Sequence, residues 1–298
     1  EKSYVPPPPN EAQKAALYGA LETHKSSIKA ATYKAHRYKL SHLFAFLGDK
    51  PATAASLREY FIHARQTHCA TTVHSSLMLL HKIFDLAGMA HLLEGIKAKK
   101  GKSEPLRYFQ RHQVRQLTEH LRKQEPQLLL FCQFVYYCFL RPRSELRFLR
   151  VGDIFFDERK ILVRAAFFQQ ERGECLPAGA KNGKAEFVTI PDAFYPALLH
   201  LQDLPPTAFV FPGRQGKPMG KNRMGNLFRK VLDGLGYGED FQVYSWKHTG
   251  AVACVRGGIG LKQLQLQLRH HSLDQVNEYL RQLGVGDFDN LRRDFPAM

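Results

Sequence analysis

Little in this sequence would tie it into a secreted or metal-stapled scaffold. Its five cysteines (Cys69, Cys132, Cys138, Cys175, Cys254) are odd in number and form no CxxC pair, which argues against a disulfide framework and against a zinc site. Long apolar runs are missing as well. The longest nearly uncharged one, Leu128 to Leu140, has 13 residues and includes Gln133, short of the roughly 20 that span a bilayer. No basic-then-apolar leader opens the chain, and no repeat with a period of roughly 20 to 50 residues runs through it. A glycine-rich phosphate loop is also lacking, because Gly213-Arg214-Gln215-Gly216-Lys217 has the wrong spacing. The expectation is a cytoplasmic globular protein with reduced thiols that needs neither metal nor other cofactor.

Acidic residues are scarce relative to basic ones: 27 Asp+Glu stand against 43 Lys+Arg in 298 residues, a net charge of +16. A surplus of this size is a statement about partners and points to nucleic acid or an anionic membrane surface. It is spread along the chain, with 16 basic against 8 acidic residues through position 107 and 27 against 19 after it. Both parts can therefore face one polyanion, which suggests a clamp. A membrane-surface role lacks the basic amphipathic helix with Trp or Phe anchors that it would need.

The opening Val5-Pro6-Pro7-Pro8-Pro9 predicts a stiff extended lead-in. Helical apolar spacing then recurs over about 29–47, 57–64 and 73–87, the first with Lys34, His36, Arg37 and Lys39 between its apolar positions. Lys97-Ala98-Lys99-Lys100-Gly101-Lys102-Ser103-Glu104-Pro105 has no apolar period and reads as a linker, either solvated or running along a phosphate backbone. Beyond it, helices are predicted over about 111–123, 126–140, 193–201, 221–235, 249–257, 261–269 and 273–283. Two β-rich runs, Ile161 to Phe168 and Phe187 to Ile190, predict a small antiparallel sheet. The fold class expected is mainly α with that sheet, in two domains: an extended N-terminal segment and the start of a first helix over 1–24, a helical DNA-binding domain over 25–98, a basic linker over 99–107 and a second domain over 108–298.

Four segments of the second half, taken in order, resemble the tyrosine recombinase (phage integrase) family. Phe139-Leu140-Arg141-Pro142-Arg143-Ser144-Glu145-Leu146, followed by Asp153-Ile154, is similar to the block in which a catalytic arginine opens a helix. Lys181-Asn182-Gly183-Lys184 with the run to Pro191 resembles the hairpin that carries a catalytic lysine. Tyr244-Ser245-Trp246-Lys247-His248-Thr249 stands where the family has His-x-x-Arg-His-Thr, and Leu268-Arg269-His270-His271, with Tyr279 nine residues after His270, resembles the closing block. The resemblance covers the chain from about Lys25. It implies a C-shaped clamp of a core-binding, SAM-like domain and a catalytic domain ending in an exchange helix around Phe288, Leu291 and Phe295, which packs on its own domain or docks on a neighbouring protomer.

Cleaving a phosphodiester without metal requires a nucleophile, cations for the developing charge and a proton donor for the leaving 5′ oxygen. The resemblance implies Tyr279 as nucleophile, Arg141 and Lys247 as cations, His270 as a donor to the phosphate, Lys181 as the acid and Tyr244 in the place of a histidine. Arg143 is the substitute for Arg141, because Glu145 lies four residues after Arg141 rather than three, and His271 is the substitute for His270. Arg141 is expected at a helix start with Pro142 as first helical residue. His248 and Thr249 either cap and pack or approach the backbone phosphate. Candidate DNA contacts are Lys34, Arg37, Lys39, Lys82, Lys99, Lys100, Lys221, Arg223 and Arg269, the last standing where Leu-Gly is common. The expected partner is double-stranded DNA with paired half-sites, held by a homotetramer in site-specific recombination. The rivals are a type IB topoisomerase and a binding-only protein, the latter motivated by Tyr244 and Lys247, since Lys lacks the two-pronged grip of guanidinium.

Overall fold

A computed structural model describes residues 10–28, 30–101, 106–165, 167–171, 174–180 and 183–284. The chain divides into two compact units, one ending at Ser103 and the other beginning at Glu104. The proline lead-in, the end of the basic linker, Lys181 and the exchange-helix segment lie outside the described residues.

The first unit is built from four α-helices: α1 (Glu11–His24), α2 (Ala30–Leu47), α3 (Ala54–Thr67) and α4 (Ala70–Leu86). Leu17, Leu21, Leu40, Leu43, Leu80 and Phe84, spaced three or four apart within their helices, meet in one core. Thr53 and Ser56 start α3 with a reciprocal cap, Ser56 N–H donating to Thr53 Oγ1 at 3.1 Å and Thr53 N–H to Ser56 Oγ at 2.9 Å. Gly88, at φ +71°, ends the turn after α4, a left-handed conformation that favours glycine. His36 departs from the cationic face expected of α2. It is buried, and burial holds its pKa below the ordinary value. Lys34, Arg37 and Lys82 remain exposed. The first residues of the basic linker are fastened to this unit, Arg65 donating to the Lys97 carbonyl at 2.6 Å and His74 Nδ1 lying 2.7 Å from the Ala98 carbonyl.

The second unit is mostly helical around a small sheet. Its helices are α5 (Arg111–Gln124), α6 (Pro126–Tyr137), α7 (Arg223–Gly234), α8 (Ser245–Arg256), α9 (Leu261–Leu268) and α10 (Leu273–Gln282). Its strands are β1 (Ile154–Phe155), β2 (Lys160–Val163), β3 (Phe167–Glu171), β4 (Glu174–Ala178) and β5 (Glu186–Thr189). β1, β2 and β5 form an antiparallel sheet in that order, and β3 and β4 pair as a separate hairpin. The single strand expected over 161–168 is therefore two, broken after Val163. There, Arg164 turns to pair with buried Asp153 at 2.7 Å and gives its carbonyl to the Ala180 N–H.

The apolar run read as a helix to Leu140 stops at Tyr137, and Phe139 takes a left-handed φ of +53°. Arg141 does not open an α-helix. Residues 142–145 form turns leading to a short 3-10 segment, Leu146–Phe148, and the Arg141 N–H that a helix would leave open is taken by the Glu145 carboxylate at 2.7 Å. Helix α8 begins at Ser245, earlier than the expected start near 249. It lies against α6 so closely that a Cβ on Gly250 would stand 2.1 Å from the Tyr136 carbonyl. Gln267 of α9 bridges to β5 in both directions, accepting from Thr189 N–H at 3.0 Å and donating to its carbonyl at 2.8 Å. These contacts fix α8, α9 and the turn after Tyr137 around one spot.

Candidate active site

That spot gathers the second-half residues singled out in the sequence. Arg141 comes from the turn after Phe139, Tyr244 and Lys247 from the start of α8, His270 from the loop after α9 and Tyr279 from the last turns of α10. Tyr279 Oη lies 2.7 Å from His248 Nδ1, and the His270 ring stands edge-on to the Tyr279 ring at 5.6 Å between centroids. His248 in turn stands edge-on to Tyr244 at 5.2 Å. His248 is buried and its pKa is pushed down to about 4, chiefly by burial and further by Lys247. Neutral at physiological pH, its Nδ1 is an acceptor for the tyrosine hydroxyl in the tautomer that carries the proton on Nε2. Burial, with Tyr244 adding, raises the Tyr279 phenol well above the ordinary value, so Tyr279 rests protonated.

Glu145 is the hub of the charged part. Its buried Oε1 pairs with the Arg141 guanidinium, while its Oε2 accepts both the Arg141 N–H at 2.7 Å and Arg269 Nη2 at 2.6 Å. The sequence pointed to the Glu-Leu pair but gave Glu145 no task. The signal available was a single acid set among Arg141, Arg143 and Arg147. Arg143, the substitute for Arg141, is exposed and lies outside this cluster. His271, the substitute for His270, is also exposed, its N–H bonded to Gln275.

Lys247 is buried to 2% exposure and its Nζ donates to the Phe139 carbonyl at 3.0 Å. Burial drives its pKa well below the usual lysine value, with Arg269 and Arg141 adding and Glu145 opposing. Arg269, expected among the DNA-facing cations, is inside the site. The left-handed residue that closes α9 turns its side chain inward, leaving 1% of it exposed. Thr249 packs, as one of its two readings had it, accepting from Phe109 N–H at 2.9 Å and donating to the Ser245 carbonyl at 2.8 Å. His248 packs as well, buried against the Tyr244 and Tyr279 rings, and in addition contacts the Tyr279 hydroxyl, which neither reading foresaw.

Beside Arg141 opens a cleft of about 480 Å³ lined by Arg143, Ser144, Lys221, Asn222 and Tyr244 among others. Lys221 and Arg223 are exposed there at the start of α7. In the first unit, Arg37 Nη1 lies 3.4 Å from Tyr33 Oη and the Lys39 ammonium 5.7 Å from the Tyr38 ring centre, while Lys99 and Lys100 are exposed. Among the described residues no group of His, Cys, Asp and Glu gathers as a metal site, and no helix is long and apolar enough to cross a membrane.

The family description "Phage integrase family" matches residues 107–283, more than half of the chain. The chain belongs to this family. This tyrosine recombinase, a DNA-breaking and rejoining enzyme by family, is similar in fold to an integrase of the Tn1549 transposon in complex with a circular intermediate DNA. That likeness has a TM-score of 0.73 at 16% identity over 94% of this chain and 98% of the other. It is also similar to lambda integrase, both as a tetramer bound to a Holliday junction (TM-score 0.67, 14% identity, 87% and 77% coverage) and as a dimer bound to a COC′ core site (0.67, 14%, 89% and 94%). At such identities the likeness concerns the fold. No curated protein matches the recombinase by sequence.

Proposed function

We propose that this recombinase cleaves and rejoins DNA at specific sites through a covalent 3′-phosphotyrosine on Tyr279. The observation that carries the reading is the 2.7 Å contact between the Tyr279 hydroxyl and the neutral His248, with the His270 ring against Tyr279 and the Arg141 charge acting on His270. In the cleavage step the Tyr279 oxygen forms a bond to phosphorus and the bond from phosphorus to the 5′ oxygen breaks. The phenol proton passes to His248 Nδ1, and a proton from Lys181 goes to the leaving 5′ oxygen. Arg141 and His270 meet the charge on the non-bridging oxygens. Resealing runs the same steps backwards, so that the ester bond is conserved in the protein link and no ATP is consumed.

Lys34, Arg37, Lys39, Lys82, Lys99 and Lys100 of the first unit, with Lys221 and Arg223 beside the cleft, would hold neighbouring phosphates. Each protomer would hold one half-site, and two paired sites would be worked on by a homotetramer. The lambda integrase tetramer on a Holliday junction is a precedent for that assembly on a similar fold.

A covalent trap tests the reading. The protein is incubated with nicked duplexes taken from the DNA flanking its own gene, denatured in detergent and examined for protein on a 3′ phosphate. An adduct absent in Tyr279→Phe and slowed roughly a hundredfold in His248→Asn is expected. Specific binding with no adduct on any nicked duplex would replace the reading with a binding-only protein.

A further inference from the structure

A buried guanidinium in this site has donors to spare. Arg269 carries five N–H groups, and its Nη2 serves Glu145 at 2.6 Å and the Phe139 carbonyl at 3.4 Å. Its Nε and Nη1, both buried, have no hydrogen-bond partner. The next residue repeats the pattern: the His270 Nδ1 is buried and without a partner. Among the described residues five buried side-chain polar atoms are left this way, and three of them sit on these two consecutive residues. Leaving buried donors unpaired is costly in a resting protein. Such a cluster, in a site already reading as a phosphate site, marks where a ligand oxygen belongs.

The backbone supports the same conclusion. Arg269 holds φ +57° and ψ +47°, a left-handed conformation that glycine adopts more easily than arginine. The turn is pinned there by Arg269 N–H on the Leu266 carbonyl at 3.1 Å, His270 N–H on the Gln265 carbonyl at 3.1 Å and the Gln265 side chain on the His270 carbonyl at 3.0 Å. The charges are unbalanced as well: among the described residues, Glu145 is the carboxylate seen bonded to the two guanidiniums of Arg141 and Arg269, with Glu186 acting on Arg269 more weakly. A phosphodiester, a monoanion with two non-bridging oxygens, completes that balance. Lys247 is less suited to do so, because it is buried with its Nζ on the Phe139 carbonyl and its pKa is held well below the usual lysine value.

We propose that Arg269 is a catalytic residue that binds the scissile phosphate directly, presenting Nε and Nη1 to a non-bridging oxygen beside Arg141 and His270. The proposal rests on the reading of this site as a phosphodiester-cleaving centre. The alternative role for Arg269 is purely to hold Glu145, and hence Arg141, in place.

Two substrates show whether Arg269 acts on the scissile charge once the adduct has mapped it, and adding its loss to Glu145→Gln separates the two roles: a purely positioning Arg269 adds no further defect in that background, a phosphate-binding one does. One substrate is the nicked duplex itself; the other carries a neutral methylphosphonate at the scissile position. Arg269→Gly removes the guanidinium and suits the left-handed backbone but leaves buried Glu145 with Arg141 alone, so its melting temperature should fall, and adduct rates are compared at a temperature below both transitions. On the phosphodiester it should form adduct about a hundredfold more slowly or worse. On the methylphosphonate, where the charge has gone, its difference from the parent should shrink to less than about tenfold. Arg269→Gln gives the same comparison should the glycine variant not fold. An equal defect on both substrates, or no defect on the phosphodiester, overturns the proposal while leaving the nucleophile assignment intact. A parent protein that forms no adduct at all overturns the site reading and this proposal with it.

Discussion

Replacing Glu145 with glutamine should be among the most damaging isosteric changes in the second unit. The carboxylate accepts from the Arg141 main chain at 2.7 Å, pairs with the Arg141 guanidinium and takes Arg269 Nη2 at 2.6 Å. Its side chain is 2% exposed and that of Arg269 1%, so water has little access to either charge. Glutamine keeps the shape but removes the negative charge and turns one acceptor edge into a donor facing guanidinium. Removing one partner of a buried pair costs about 3–5 kcal/mol, because the other charge stays buried and uncompensated. For a unit of this size each kcal/mol lowers the melting temperature by about 2–4 °C, so a fall of roughly 6–20 °C is expected. The assay is thermal melting of the full chain, following the transition of the second unit. Glu278→Gln serves as the control: its pair with Arg281 is exposed on both sides, and such surface pairs add little. A Glu145→Gln transition within about 2 °C of the parent would refute the assignment of Glu145 as the counter-charge of a buried guanidinium.

Acid should weaken the second unit as pH falls below 6.5. His248 is held near 4 against an ordinary 6.5, so the unfolded chain takes up its proton as pH falls through 6.5 while the folded site refuses it until about 4. Stability is therefore complete above 6.5 and drains between 6.5 and 4, by about 2–3 kcal/mol for His248, with His270 acting in the same direction. Urea midpoints compared at pH 7 and pH 5 should show the loss, and an equal or higher midpoint at pH 5 would count against it. Gly250→Ala places a methyl 2.1 Å from the Tyr136 carbonyl and 3.0 Å from Phe139 Cε1, and should cost about 3 kcal/mol in thermal or urea unfolding. Arg143→Ala should leave the rate of adduct formation at saturating DNA near that of the parent and reduce the salt dependence of binding by about one phosphate contact, whereas Arg141→Ala should abolish the adduct.

Sequence periodicity located nearly every helix, because the apolar faces that make a core leave a 3.6-residue signature in a single chain. Leu40, Leu43 and Leu47, or Leu77, Leu80 and Phe84, are legible without any partner. Polar residues turned inward left no such signature. His36 sits between basic neighbours in the sequence, yet the helix carries it to the buried side. The strand break after Val163 depends on Arg164 meeting Asp153, and the missing helix at Pro142 depends on Glu145 reaching back to the Arg141 N–H. Both are side-chain contacts that no propensity records. In the site, the motif blocks brought forward Arg141, Lys247, His270 and Tyr279 and gave the hydrogen bond of His248 no weight. Lys247 and Arg269 looked like two unrelated departures from a pattern; in the fold both reach the Phe139 carbonyl, at 3.0 and 3.4 Å.

At rest the site holds its reactive groups in unreactive protonation states: Tyr279 keeps its proton, His248 and His270 are neutral, and Lys247 is pushed toward the neutral amine. Burial is the first cause in each case, and the neighbouring cations deepen the shifts of the two histidines and of Lys247. On the proposed reading an arriving phosphate would act on all of them at once. As an anion it would offset the repulsion from Arg141 and Arg269, favour the protonated forms of His248 and Lys247, and so make His248 a better base when there is something for Tyr279 to attack. Binding of DNA and activation of the proposed nucleophile would then be coupled by this charge balance. The coupling is measurable as a pH–rate profile of adduct formation at saturating DNA, whose acid limb reports the DNA-bound state. The limb should lie above the value of about 4 at which His248 stands in the free protein. A limb at or below that value would mean that the phosphate leaves His248 as poor a base as it found it, and that another group takes the phenol proton.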